Sequence, residues 1–325
     1  LLSISYAVLA YSECGLRQHH LSDSRYRRSI IGGNEVTTLG KWPWQILIHA
    51  GNDSAVCGGT IISPQWVLTA AHCAVTMNGL KPFVITEVTQ HPNEVIRKIN
   101  PNETFTTLAE AKLHPELKDH IHEAIEMKVH SEYIRTHPKY LSDLALLKLD
   151  RPLTYSQDVA TICLPTPSQY IPRGGQAVVT GFGKSNVRGT NEIVEDRQLR
   201  DTIVPIIPLD LCHERWSSPA PDVSEKAELL VAAWHERKAI CAGSFGHGGF
   251  QGDSGGPLIM RATDGRWFQI GVVSFGQSER PLEADNYPNV YTDVRKYCDW
   301  IKKTTNGEAS CQDEEVTLED VKIRM

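Results

Sequence analysis

One stretch decides the fold of this chain, Gln251-Gly252-Asp253-Ser254-Gly255-Gly256-Pro257, because it sets one serine between glycines. Glycine tolerates tight-turn backbone conformations, so such a turn can expose the Ser254 hydroxyl and free backbone N–H groups. The N–H groups of Gly252 and Ser254 would then stabilise a tetrahedral oxyanion. A serine alone is a poor nucleophile and needs a base, normally a histidine steadied by a carboxylate. A glycine-rich turn with an idle serine is the alternative, and the presence of those partners decides between the two.

The motif Gly252-x-Ser254-x-Gly256 also matches the nucleophile elbow of α/β-hydrolases. That fold requires the acid and then the histidine to follow the serine along the chain. The last histidine of this sequence is His247, which precedes Ser254. The elbow is therefore excluded, and a histidine–aspartate–serine order is the arrangement that the sequence still allows.

Two upstream stretches supply candidates for the base and the carboxylate. The apolar run Trp66-Val67-Leu68-Thr69 leads into Ala70-Ala71-His72-Cys73, which predicts that His72 stands at a strand end. Ser142-Asp143-Leu144-Ala145-Leu146-Leu147 sets a single carboxylate at the head of an apolar strand. A half-buried aspartate is costly unless it is paired, and an imidazole N–H is a suitable partner. We therefore expect Asp143 to pair with a histidine.

The order of these motifs resembles that of the trypsin/chymotrypsin family of serine peptidases. The motifs are IIGG (30–33), TAAHC (69–73), SDLALLKL (142–149) and GDSGGP (252–257). The resemblance covers about Ile30 to Thr304. It implies an all-β fold of two antiparallel six-stranded β-barrels, with the site in the cleft between them and a C-terminal helix.

The resemblance also implies a role for each matching residue. Ser254 would be the nucleophile, and His72 the general base and then the acid. Asp143 would orient the imidazole and stabilise its charged form. Gly252 and Ser254 would supply the oxyanion-hole N–H groups. Ser274 matches the family serine near the buried aspartate, and the segment Ser274-Phe275-Gly276 is expected to pair with substrate backbone as an added strand.

The activation site departs from the family pattern. By resemblance, Ile30 becomes the new N-terminus, and its ammonium pairs with Asp253 and orders the oxyanion hole. The residue before Ile30 is Ser29 rather than Arg or Lys, and a cut after Arg28 would leave Ser29 on the new terminus. The sequence therefore predicts either a non-tryptic activating protease or imperfect activation.

The primary pocket also departs from the trypsin-like pattern. P1 is the substrate residue on the N-terminal side of the cleaved bond. By resemblance, the residue six positions before the nucleophile determines which P1 side chain is accepted, and that residue is Gly248 here. Trypsin-like members have aspartate there, so we expect a P1 residue other than Arg or Lys. Gly249 and Gly276 have no side chains, so they leave room in the pocket for a P1 side chain. Asn289 stands where the family usually has glycine, so we expect it to point into the pocket and either narrow it or hydrogen-bond the substrate.

Three further residues bear on this pocket. Phe250 stands where one cysteine of a family disulfide is expected, which resembles the granzyme and chymase branch. Glu279 and Glu283 lie in the loop expected at the pocket rim, and either acid could still admit a basic P1 side chain. Their polar sequence neighbourhood favours a solvent-facing position.

The eight cysteines are even in number and contain no C-x-x-C pair, which favours disulfides over zinc or thioredoxin-like chemistry. The family resemblance implies three pairs: Cys57 with Cys73, Cys212 with Cys241, and Cys14 with Cys163. Cys298 and Cys311 then remain for each other, by elimination only. The Cys14 bridge would tether the segment that precedes the activation site.

The predicted domain organisation follows the same resemblance. Residues 1–12 form an apolar run typical of the end of a secretory signal, although a buried N-terminal segment fits these residues equally well. The other parts are a propeptide (13–29), the peptidase domain (30–304), with barrels at about 30–152 and 176–296 and a helix at about 293–304, and an acidic extension (305–325). We expect that extension to be solvated.

Short β-branched and aromatic runs predict the strands, and helical signals are few. The predicted strands are Gln45–His49, Thr60–Leu68, Ala145–Leu149, Ala177–Thr180, Trp267–Phe275 and Val290–Val294. Tyr297–Thr305 is predicted to be helical, because it ends before the helix-stop pair Asn306-Gly307. Ser224–Arg237 is a weaker helix candidate within a long loop.

Composition limits the partners. The chain has 325 residues, 41% of them hydrophobic, and a net charge of −6 without a basic run, which argues against a nucleic-acid partner. No segment is long and apolar enough for a membrane span. Asn52-Asp53-Ser54 and Asn102-Glu103-Thr104 are N-glycosylation acceptors, and together with the cysteines they predict a secreted, extracellular protein.

No cofactor is expected. His120-x-His122 lies in a histidine-rich segment between His72 and Asp143 and could bind a metal, but exposed loop histidines are commoner, so no metal site is predicted. The partners that remain are a protein or peptide substrate, an activating protease and protein inhibitors.

Two functions of different classes fit the sequence. The first is an active endopeptidase with a restricted protein substrate and a non-basic P1 preference. The second is a family member that acts as a binding or regulatory module, disabled by its activation site or its pocket. The intact set of His72, Asp143 and Ser254 favours the enzyme.

Overall fold

The computed structural model describes most of the second half of the chain and separate parts of the first. The described residues are 13–17, 33–36, 40–49, 56–76, 83–85, 120–135, 142–186, 193–194, 198–217, 234, 236–277 and 282–321. Several predicted features lie outside these ranges. They are residues 1–12, Ile30, Asn52, Asn102, Glu279 and most of Ser224–Arg237.

Within these ranges the chain is mostly β-structure. The strands are β1 (Asn34–Glu35), β2 (Gln45–His49), β3 (Val56–Ile61), β4 (Trp66–Thr69), β5 (Phe83–Ile85), β6 (Ile121–Val129), β7 (Ala145–Leu149), β8 (Gln176–Gly181), β9 (Ser185–Asn186), β10 (Ile193–Val194), β11 (Arg200–Ile207), β12 (Ala239–Ala242), β13 (Pro257–Ala262), β14 (Trp267–Phe275), β15 (Asn289–Asp293) and β16 (Leu318–Glu319). The helices are α1 (Ala71–Thr76), α2 (Ser131–Arg135), α3 (Leu209–Trp216) and α4 (Cys298–Thr304), with a 3₁₀ turn at Val294–Tyr297. None of these helices is long and apolar enough to cross a membrane.

The first barrel closes in the order β2-β3-β4-β7-β6-β5, with antiparallel pairing between the neighbouring strands. Its interior is filled by aliphatic side chains such as Ile46, Leu68 and Leu146, all fully buried. The run predicted as one strand over Thr60–Leu68 is instead a hairpin. The hydroxyl of Ser63 accepts the N–H of Trp66 at 3.2 Å. This hydrogen bond stabilises the turn that separates β3 from β4.

The second barrel contains six strands that pair in a closed ring, β8-β11-β12-β15-β14-β13, in which β13 returns to β8. Apolar residues of these strands, among them Val179, Ile270 and Tyr291, form its core. Two further short strands pair with this ring, β1 with β11 and β16 with β13. The prediction of two six-stranded antiparallel barrels with a C-terminal helix is therefore confirmed.

Buried polar side chains join the two barrels. Thr60 donates to Gln269 Oε1 at 2.5 Å, and Thr180 donates to Gln45 Oε1 at 2.6 Å, each bond linking one barrel to the other. Buried polar atoms are costly unless they are hydrogen-bonded, so these pairs hold the barrels in one relative position. That position fixes the cleft between them.

Four disulfides join all eight cysteines. They link Cys14 to Cys163, Cys57 to Cys73, Cys212 to Cys241, and Cys298 to Cys311. The first three are the pairs that the family resemblance implies, and the fourth is the pair that remained by elimination. The Cys14–Cys163 disulfide carries the short segment 13–17 onto the second barrel. There Gly15 donates its N–H to Thr161 O at 2.7 Å, and the guanidinium of Arg17 lies over the rings of Trp42 and Trp267.

The acidic extension differs from the solvated tail that its composition predicted. Cys311 ties it to α4, and Leu318 is buried in the core of the second barrel. The strand β16 pairs with β13, and Gln169 accepts the N–H of Val316 at 3.0 Å. The acidic side chains face outward while a few apolar residues between them supply the packing, so composition alone was misleading.

We predict that Leu318→Ala lowers the free energy of unfolding by about 2 kcal/mol, because it leaves a cavity under β16. Glu314→Ala, at an exposed position of the same extension, should change it by less than about 0.5 kcal/mol. Denaturant unfolding with the disulfides intact measures both. Equal, small effects for the two variants would mean that the extension does not pack in solution.

Candidate active site

His72 lies in the first turn of α1, directly after β4 has delivered the chain to the inter-barrel face. The disulfide from the neighbouring Cys73 to Cys57 in β3 fixes this turn to the barrel. The imidazole side chain is 23% exposed, so it reaches the surface of the cleft while the backbone around it is buried. A histidine in this position is accessible to a substrate.

Asp143 precedes β7 and is fully buried. Its carboxylate accepts the backbone N–H of His72 at 2.8 Å and pairs with His72 Nδ1 at 2.7 Å. Oδ2 also accepts the hydroxyl of Ser274, from the second barrel, at 2.6 Å. Burial alone would lower the pKa of His72, but the charge of Asp143 and its hydrogen bond outweigh burial and raise that pKa above its usual range.

The Ser254 turn lies against the strands that lead to His72. Gly58 in β3 donates its N–H to Ser254 O at 2.8 Å. Gly255 has φ +78°, and a Cβ there would collide with Thr69 at the end of β4 and with Gly58 O. Only glycine allows this close approach. The structure thus sets the Ser254 turn of the second barrel against β3 and the end of β4, the strand that precedes His72.

Gly252, with φ +97°, sets the direction of the turn that precedes Ser254. Between them, Asp253 points away from the surface and is fully buried. Its carboxylate accepts the N–H of Gly183 and that of Phe250, each at 2.8 Å. Burial raises the pKa of Asp253 to about 6, and these two hydrogen bonds and the charge of Arg200 lower it only in part.

The predicted pocket residues are also brought together. Asn289, at the start of β15, lies between Gly248 and Gly276, because a Cβ added to either glycine would overlap its amide group. Its Nδ2 donates to Gly249 O at 3.1 Å. The Ser274–Gly276 segment lies at the end of β14. There Phe275 packs edge-on against the buried Trp216.

Glu283, by contrast, pairs its backbone with Phe245 in an isolated bridge. It is partly exposed, as the sequence suggested for this loop. Glu279 lies outside the described residues.

A polar cluster behind Asp143 was not anticipated from the sequence. Ser142 has φ +58°, which is unusual for a residue with a side chain, and its hydroxyl donates to Glu132 at 2.6 Å. Lys238, from the second barrel, donates to the same carboxylate at 2.7 Å. Tyr297 OH donates to Ser142 Oγ at 3.0 Å. The hydrogen bonds from Lys238 and Ser142 lower the pKa of Glu132.

Metal binding has little support among the described residues. The one group there of three or more His, Cys, Asp or Glu side chains with converging ligand atoms is Cys57, His72 and Cys73. Its two sulfurs are joined in a disulfide, so they offer no thiolate ligand. His122 is buried in β6, with Nδ1 at 3.8 Å from Asp150 Oδ1.

Two closed antiparallel barrels with these groups at their interface define a chymotrypsin-like protein. The family model described as Trypsin matches residues 30–301. A tryptase of Mus musculus is 33% identical over 278 residues, which cover 85% of this chain and 88% of the relative. This chain belongs to the trypsin family of serine endopeptidases.

Other relatives are longer proteins. Transmembrane protease serine 5 of Homo sapiens is 31% identical over 301 residues, which cover 91% of this chain and 54% of that protein. An ovochymase of Halocynthia roretzi is also 31% identical over 301 residues, again 91% of this chain but 16% of the relative. The chain therefore spans about half or less of the length of these two relatives.

The pKa of Asp253 predicts a pH dependence of stability for the uncut chain. Because the folded pKa is raised above 3.8, the folded state keeps a proton that the unfolded state loses, so stability should fall as pH rises from about 4 to about 6. The difference corresponds to about 3 kcal/mol. Denaturant unfolding of the wild type and of Asp253→Asn across this range isolates the effect. Parallel pH profiles for the two proteins would contradict it.

Proposed function

We propose that this chain cleaves peptide bonds through an acyl-enzyme formed on Ser254, with His72 as the base and Asp143 as the orienting carboxylate. The observation that carries the proposal is the double contact of Asp143 Oδ2, which pairs with His72 Nδ1 and accepts from Ser274. A carboxylate held at Nδ1 favours the tautomer whose Nε2 is unprotonated and can accept a proton.

Ser254 Oγ attacks the carbonyl carbon while its proton passes to His72 Nε2, and the oxyanion accepts the N–H groups of Gly252 and Ser254. His72 gives the proton to the leaving amine, and the peptide bond breaks. Water, deprotonated by His72, then attacks the ester carbonyl, and His72 returns the proton to Ser254 Oγ as the acyl group leaves. The raised pKa of His72 supports its role as the proton carrier between these steps.

The substrate is proposed to be a protein with a non-basic P1 residue. Gly248 brings no carboxylate to the pocket, so an arginine or lysine side chain would lose its hydration without a compensating charge. Substrate backbone is proposed to pair with Ser274–Gly276 as an added strand. The long segments between His72 and Asp143 and between Cys212 and Cys241 are proposed to border the cleft and restrict access.

Activation is proposed to require a new N-terminus at Ile30. Its ammonium would compensate the buried charge of Asp253, which among the described residues accepts two backbone N–H groups and interacts with the charge of Arg200. Rotation of the Asp253 side chain toward that ammonium would order the backbone of Gly252 and Ser254, which supplies the oxyanion-hole N–H groups. Secretion is part of this proposal, because four disulfides persist in an oxidising compartment.

We predict that a fluorophosphonate labels Ser254 in a chain cut so that Ile30 is the new N-terminus. Ser254→Ala and His72→Ala should each lower kcat by several orders of magnitude, and Asp143→Asn by about 10⁴-fold, with KM little changed. Ser310→Ala, at an exposed position, is the matched control. A cut chain that remains unlabelled and inert would instead support the binding-module alternative.

We further predict that the two candidate activation cuts give different enzymes. A chain beginning at Ile30 should have at least about tenfold higher kcat/KM than one beginning at Ser29, because an extra residue displaces the ammonium from the buried Asp253. Asp253→Asn should remove the activity of the Ile30 form. Active-site titration of both cut forms makes the comparison, and equal activity would show that the ammonium does not act through Asp253.

A further inference from the structure

Asn289 lies between Gly248 and Gly276, two residues that the proposed function assigns to the P1 pocket. It is 6% exposed, and its amide stands between two backbone positions that carry no side chain. The oxygen faces Gly248, where an added Cβ would overlap Oδ1, and the nitrogen faces Gly276, where an added Cβ would overlap Nδ2. The orientation of the amide across the pocket is therefore defined at both ends.

The two ends of this amide differ in their hydrogen bonding. Nδ2 donates one of its two hydrogens to Gly249 O at 3.1 Å. Oδ1 is buried and has no hydrogen-bond partner within the described part of the chain. A buried acceptor without a donor costs about 1–3 kcal/mol, so native proteins rarely keep one without a use. The amide can thus accept one hydrogen bond at Oδ1 and give one more from Nδ2.

We infer that Asn289 selects a P1 side chain ending in a primary carboxamide, glutamine or asparagine; this rests on the proposed function, in which these residues line the P1 pocket. A carboxamide NH2 donates to Oδ1, and its oxygen accepts the second N–H of Nδ2, so both groups are satisfied by one ligand. Such amide-to-amide pairing is neutral and leaves no uncompensated charge.

Other P1 classes match this pocket less well. A leucine or phenylalanine side chain covers Oδ1 without donating to it, which keeps the acceptor unsatisfied. A carboxylate would face the Oδ1 dipole, and an arginine or lysine would enter without a counter-charge from Gly248, Gly249 or Gly276. A site built to hydrogen-bond its substrate rejects an analogue that lacks the group, because its own polar atoms then stay unpaired.

A peptide library varied only at P1, and cleaved by the Ile30 form, tests the inference. We expect kcat/KM for glutamine or asparagine to exceed that for leucine, phenylalanine and arginine by at least about tenfold. Asn289→Asp keeps the shape but adds a carboxylate, so it should transfer the preference to lysine and arginine. Asn289→Gly should lose the carboxamide preference and accept large apolar side chains.

Asn286→Asp is the matched control, because it makes the same chemical change at an exposed position three residues away; its P1 profile should equal that of the wild type. An enzyme that is labelled at Ser254 but prefers an apolar or basic P1 residue overturns this inference and leaves the proposed peptidase activity intact. An Asn289→Asp variant that keeps the wild-type P1 profile overturns the inference in the same way. An unlabelled, inert cut chain overturns both.

Discussion

The buried carboxylate of Asp143 is the constraint on which the rest of the structure depends. It is fully buried, so its charge is tolerated only while donors surround it. Two of these come from His72 in the first barrel and one from Ser274 in the second, and Thr292 of the second barrel donates to Asp143 O at 3.0 Å. Docking the barrels and assembling the site are therefore one requirement.

A second set of polar contacts holds Ser142, the residue that precedes Asp143. The positive φ of Ser142, next to Asp143, costs backbone energy that the surrounding contacts must offset. Glu132 accepts from Ser142 and from Lys238, so a single carboxylate ties the chain before Asp143 to the second barrel. Because Lys238 lies 106 residues from Glu132 along the chain, no local sequence pattern could have predicted this pairing.

Local patterns predicted what local physics determines. The bounds of β2, β7 and β14 match the predicted runs, because those strands are continuous apolar segments between turn signals. The Ser63 turn and the packed extension were missed: the first depends on one hydroxyl, and the second on long-range burial of Leu318 among acidic neighbours. The sequence predicted that Asn289 points into the P1 pocket, but the lack of a hydrogen-bond partner for its Oδ1 among the described residues depends on three-dimensional contacts.

The carboxylate of Asp253 and the amide of Asn289 both hydrogen-bond to one peptide group. The carbonyl of Gly249 accepts from Asn289 Nδ2, and the N–H of the same peptide, on Phe250, donates to Asp253 Oδ2. A peptide group is planar, so its two ends turn together. If Asp253 leaves Phe250 to meet a new N-terminus, the restraint on that peptide is released, and with it one restraint on the amide in the pocket. If Asp253 and Asn289 have the proposed roles, activation and P1 recognition therefore act on the same planar peptide group.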